Sequence, residues 1–110
     1  MIRLDLKREP YWLDLPGGVR LRVAPCSTHL MMAARQQIDG FAGVDRGAAL
    51  VRALARVAIL EWEGVGDADG NPVEPTPEHI DALLDLWPIA AAFERDYLAP
   101  AVMLDAEKNA

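Results

Sequence analysis

A chain of 110 residues supports one hydrophobic core and buries about two-thirds of its unfolded surface. Its 52% hydrophobic content and three Trp exclude a disordered chain. The net charge of −6 argues against a nucleic-acid binder, whose affinity comes from a basic surface. No apolar run approaches the ~20 residues that span a bilayer, because Arg52 and Arg56 interrupt the richest stretch, residues 48–60. The charged alternation of residues 2–7 is unlike a secretion signal, so the expected location is the cytoplasm. Cys26 is the single cysteine, which rules out an intrachain disulfide or a cysteine-rich zinc site.

Charge is unevenly placed. Residues 1–60 hold nine Lys/Arg against five Asp/Glu, a formal +4, and residues 61–110 hold two against twelve, a formal −10. Such a dipolar surface steers a basic partner or pairs copies of the chain head to tail, so a homo-oligomer is one expected consequence.

In chain order, Ile2, Leu4 and Leu6 alternate with charged residues, as do Val19, Leu21 and Val23 with Gly18, Arg20 and Arg22. Both patterns predict strands with one buried face. Residues 11–15 form a third extended piece, joined to the next by a tight turn at Pro16-Gly17-Gly18. Pro25 ends the sheet, and Ser27 or Thr28 caps a helix with Leu30, Met31, Ala34 and Ile38 on one stripe. Gly40 and Gly43 close it. Asp45 caps a second helix in which Leu50, Leu54, Val57 and Leu60 recur at helical spacing.

Residues 64–75 are dense in Gly, Asp, Asn and Pro, with Asp69-Gly70 as the strongest turn signal; the expectation is a loop or miniature hairpin. Thr76-Pro77-Glu78 combines a cap, an N1 proline and a first-turn acid, with Ile80, Leu83 and Leu84 facing inward. Trp87-Pro88 restarts the chain into a last helix carrying Ile89, Ala92, Phe93 and Tyr97, which Pro100 kinks or ends before a tail at residues 107–109. The expected architecture is α+β: a small N-terminal antiparallel sheet followed by about four helices. It is one domain over residues 1–110, β-rich in 1–24 and helical in 27–107 around the loop at 64–75.

The candidate chemistry is sparse. His29 and His79 each stand beside a helix start rather than in a ligand-spaced pair. Asp67, Asp69, Asn71 and Glu78 fall at calcium-loop spacings, but Pro72 occupies the position where the loop's sharp turn requires glycine. There is no nucleophile elbow and no phosphate-cradling glycine loop. No cofactor or metal is therefore expected, and the chain is read as a binding protein rather than an enzyme. The residues best suited to contacts with other proteins are Trp62, Trp87, Phe93 and Tyr97, which supply apolar area, and Arg52 and Arg56, which lie four apart on one helix.

Three phrases recur in order in the second half. They are Trp62-Glu63-Gly64-Val65, then Asp67-Ala68-Asp69-Gly70-Asn71-Pro72-Val73, then Thr76-Pro77-Glu78. Together with Leu83, Leu84, Pro88, Ile89, Phe93, Tyr97 and the closing Glu107-Lys108-Asn109, they make residues 58–109 resemble the tail assembly chaperones of long-tailed bacteriophages and of related prophage or gene-transfer-agent clusters. The resemblance implies an assembly factor in the bacterial host cytoplasm that binds the tape measure protein and helps recruit tail tube protein. Two other readings stay open: a structural head-tail or tail-completion component, and a small metal-dependent enzyme using the acids of residues 67–78.

Overall fold

The computed structural model describes residues 1–4, 6–40 and 43–102. Strand β1 (Tyr11–Leu15) turns through Pro16, Gly17 and Gly18 into β2 (Val19–Val23). Both glycines take positive φ, 79° and 77°, which closes so short a connection. Helices α1 (Thr28–Gln37) and α2 (Gly43–Ala58) follow, and then strand β3 (Ile59–Glu63). Helix α3 spans Pro77–Leu84 and α4 spans Trp87–Phe93. A wide π turn at Glu94–Leu98 carries α4 into a short α5 (Ala99–Val102). The sheet is antiparallel in the order β1-β2-β3, and the fold is α+β as the patterning predicts.

Two expectations about the sheet require correction. Residues 2–4 lie outside it, and the side chains of Ile2, Leu4 and Leu6 are exposed. The third strand is instead residues 59–63, where helical spacing predicted the end of α2. Leu60 matched that spacing, but Glu61, Trp62 and Glu63 alternate, and their cross-strand partners decide the outcome. Glu63 lies opposite Arg20, Trp62 opposite Leu21 and Glu61 opposite Arg22. A register shift next to Val23, which pairs with Ile59, leaves Leu60 as the extra residue of a bulge, pointing outward.

One face of the sheet is polar. Arg20 donates to Asp14 at 2.9 Å and Glu63 at 3.0 Å, Arg22 donates to Glu61 at 3.0 Å, and Arg20 stacks 4.7 Å from the Trp12 ring. The opposite face carries buried Leu15, Val19, Leu21, Val23 and Ile59 into a core with Ala34 of α1 and Ile38 at its C-cap, Leu54 and Ala58 of α2, and Ile80 and Leu83 of α3. Phe93 and Tyr97 complete that core, stacked at 4.9 Å, and the Tyr97 hydroxyl donates to the Ala24 carbonyl at 2.7 Å.

The helix ends follow their capping residues. The Ser27 hydroxyl accepts from the Leu30 amide at 3.1 Å, and the Thr76 hydroxyl accepts from the His79 amide at 3.2 Å. Helix α2 begins at Gly43, two residues before the cap expected at Asp45, which sits in its first turn. Pro100 does not end the helical path, since it lies inside α5. Proline has no amide hydrogen, and its ring collides with the carbonyl four residues back. Here the Ala99 amide already reaches back five residues to Glu94, so the chain is widened where the proline enters. The tail at residues 107–109 lies outside the described residues.

Gly64, at φ +82°, passes directly over the Gly18 carbonyl, and a Cβ there would collide with that oxygen. Gly70 has a similar φ of +85° but faces open space. Gly64→Ala is therefore expected to cost about 2–5 kcal/mol, combining backbone strain with overpacking. Gly70→Ala is expected to cost about 1–2 kcal/mol, from strain alone. Urea unfolding of the two variants checks the difference.

Burial, and then the neighbouring Cys26 and Tyr11, push the Tyr97 hydroxyl well above its ordinary range. Above about pH 10 the unfolded chain loses this proton while the folded chain keeps it, so stability falls as pH rises. In Tyr97→Phe the alkaline fall should be shallower, and stability at neutral pH should drop by about 1 kcal/mol for the lost hydrogen bond. Denaturant midpoints from pH 7 to pH 11 measure both effects.

Candidate functional site

The phrases of the second half resolve into one latch. Trp62 is half-buried on the core side of β3, and its indole N–H donates to the Val73 carbonyl at 2.7 Å. Between them, residues 65–73 form a miniature hairpin. The Asp67 amide donates to the Asn71 carbonyl at 2.9 Å and the Val73 amide to the Val65 carbonyl at 3.3 Å. Asp67 Oδ1 accepts from the Asp69 and Asn71 amides, both at 2.9 Å, organising the tip. The hairpin then delivers Thr76 to the start of α3. His79 closes that junction, its Nδ1 lying 2.9 Å from the Glu74 carbonyl oxygen and 3.1 Å from Thr76 Oγ1. Among the described residues no group of three or more His, Cys, Asp or Glu is placed to hold a metal ion.

The six residues expected to contact partners have different fates. Phe93 and Tyr97 are buried, so they are corrected from contact residues to core residues; their apolar area covers the sheet. Trp62 belongs to the latch. Arg56 was expected to share an outward face with Arg52, but both oxygens of Asp81 hold it, at 2.7 and 2.8 Å, and it also donates to Gln37 at 3.1 Å. Arg52 is exposed and forms no ion pair among the described residues. Trp87 stands 74% exposed.

Arg52 and Trp87 line one groove between α2 and α4, with Ala48, Val51, Leu84 and Ala90 as its apolar lining and Asp85 and Glu94 beside them. A second, more apolar hollow lies on the other side of the α3–α4 junction, between Pro16 of the β1–β2 turn, Val19 of β2, and Leu83, Leu86 and Pro88. Leu86, 55% exposed, and Trp87 therefore form an apolar prow flanked by two hollows. The sequence reading passed over Leu86 and took Pro88 as a helix restart. Their signal was the apolar triplet Leu86-Trp87-Pro88 at the junction of two helices, where a polar connection is the usual choice.

A single exposed leucine is ordinary, but neighbouring exposed apolar residues rimmed by charge are the pattern of an interaction surface. The fold is that of a small α+β protein with an exposed apolar prow beside a charged groove. Residues 26–110 match the family model described as YdaY prophage protein, and the chain belongs to that family; it is prophage-derived. No curated protein and no solved structure matches it. The matched residues include the latch, the prow and helices α1 to α5. Among the described residues no helix is long and apolar enough to cross a membrane.

Trp62→Phe keeps most of the ring's packing but removes the indole donor. It is expected to lower stability by about 1 kcal/mol. Hydrogen exchange at the Asp67, Gly70 and Val73 amides should accelerate more than exchange in the strands, because the latch rather than the sheet is loosened.

Proposed function

We propose that this prophage protein is a tail assembly chaperone that works by binding, without catalysis, in the cytoplasm of the host cell. Its partner is the long helical tape measure protein, and it assists assembly of the tail tube protein around that partner. The single observation that carries the reading is the prow: Trp87 and Leu86 exposed beside an apolar groove with Arg52, Asp85 and Glu94 among its lining residues.

An amphipathic helix suits such a groove. Apolar residues at spacings of three and four enter the cleft, and polar residues meet the charges at its edge. A tape measure protein exposes long helical stretches before it is enclosed, and covering them keeps them soluble. The resemblance of the latch phrases to phage tail chaperones supports the same reading, as does membership of a prophage family. A small charged domain offering one sticky edge fits a transient companion better than a permanent wall component.

Co-expression with a tape measure protein and a tail tube protein from the same prophage tests it. The chain is expected to co-purify with the tape measure protein and to be missing from finished particles; its presence in purified particles would favour the structural alternative. Trp87→Ala should leave stability within about 0.5 kcal/mol, as for a surface change. It should weaken tape measure binding by at least about 2 kcal/mol, the scale of an interfacial hot spot. Arg52→Glu should slow association more than it speeds dissociation.

A further inference from the structure

We infer that the N-terminal arm of one copy adds to the β1 edge of a second copy, giving a reciprocal two-fold dimer with a four-stranded sheet on each side. The arm has the pattern of a strand and nothing to pack on. Ile2, Leu4 and Leu6 are 63%, 82% and 92% exposed, residues 1–4 carry no regular structure, and Leu6 and Lys7 lie in a turn.

The β1 edge is the matching receptor. β1 is hydrogen-bonded on one side only, to β2, and its pairing has no bulge. It contains neither lysine nor proline, the usual guards of an edge. The other edge, β3, carries the bulge at Leu60. Tyr11 shares the core side of β1 with Leu13 and Leu15, yet its side chain stays exposed, because no strand lies beyond it.

Register and charge fix the direction. In antiparallel pairing with Ile2 opposite Leu15, Leu4 falls opposite Leu13 and Leu6 opposite Tyr11, so three apolar residues meet three. Arg3 then falls opposite Asp14, whose Oδ1 accepts from Arg20 while the side chain remains largely exposed. A parallel arm would place Arg3 against Trp12 and lose that ion pair.

The chain's own β1 edge is not the receptor. Tyr11 pairs with Val23, and three residues further on Arg8 donates to the Cys26 carbonyl at 2.7 Å, in the same register. Residues 8–10 therefore continue past the end of the sheet in register with residues 24–26, and residues 1–4 and Leu6 stay exposed rather than paired with β1. Reciprocal exchange closes the pair so that no arm or β1 edge is left over.

Sedimentation of the full chain from about 5 to 200 µM tests this, since a dimer must fill with concentration. The expected result is a monomer–dimer equilibrium whose dissociation constant rises more than about tenfold in Leu4→Asp, with the circular dichroism spectrum unchanged. A chain that is monomeric throughout, or a dimer indifferent to Leu4→Asp, overturns the inference. The double variant R3C and D14C, with each single variant as a control, should form a reducible disulfide between two chains. A disulfide closed within one chain, or none at all, also overturns it. Neither experiment involves the tape measure protein, so failure here leaves the chaperone reading standing.

Discussion

A single indole hydrogen bond, from Trp62 to the Val73 carbonyl, ties the strand that completes the sheet to the hairpin that follows it. Trp62 belongs to the strand that completes the sheet, and Val73 belongs to the far side of the hairpin that leads to the next helix. Joining them fixes the exit angle of the chain after β3, and Gly64 allows that exit by passing close over the Gly18 carbonyl. From there the path is constrained: Thr76 caps α3, α3 brings Asp81 to Arg56, and the α3–α4 turn leaves Leu86 and Trp87 outside. The exposed prow is thus positioned by contacts made at the sheet's edge.

The polar face of the sheet does a second job. Its arginines come from the first half of the chain and its glutamates from the second, so part of the charge asymmetry is neutralised inside the molecule. Exposed pairs of this kind are each worth about 0–1 kcal/mol, too little to hold the fold. Their value is in register. A slip of one residue would turn Arg20 and Arg22 toward the core and Leu21 toward water, so the ladder rejects misalignment more than it stabilises alignment. Arg56 similarly crosses between halves to Asp81, whereas Arg52 on the same helix forms no ion pair among the described residues.

Local signals made much of this legible in the sequence. Ser27 and Thr76 marked helix starts because a hydroxyl at a cap has one main use, and the Asp-Gly turn of the hairpin likewise followed from backbone geometry. The strand at residues 59–63 was not legible. Leu60 continues the spacing of α2, and only the distant partners Arg20 and Arg22 make extended structure preferable there. The arm at residues 2–7 failed in the opposite way, since alternation shows that a strand is possible but not that a neighbour exists within the same chain. For the site, Trp87 and Arg52 were found from residue type, but Phe93 and Tyr97 have the same chemistry as contact residues and only packing reveals that they are core. Arg56 could not be separated from Arg52, because its carboxylate partner lies 25 positions away.

The order of pairing has a consequence for synthesis on the ribosome. β2 can fold against β1 as soon as both have emerged, but its other edge waits for β3. Arg22 meets Glu61 only 39 residues later, which at about 5–20 residues per second is a delay of about 2–8 s. Throughout that interval the nascent chain carries an open strand edge beside a partly uncovered apolar face, the combination most prone to pairing with a neighbour. The last clasp, Tyr97 to Ala24, spans 73 positions, so closure waits until the residues after α4 have emerged. The chain is therefore adhesive for much of its own synthesis, and crowding of nascent copies on one transcript is the circumstance in which that matters most.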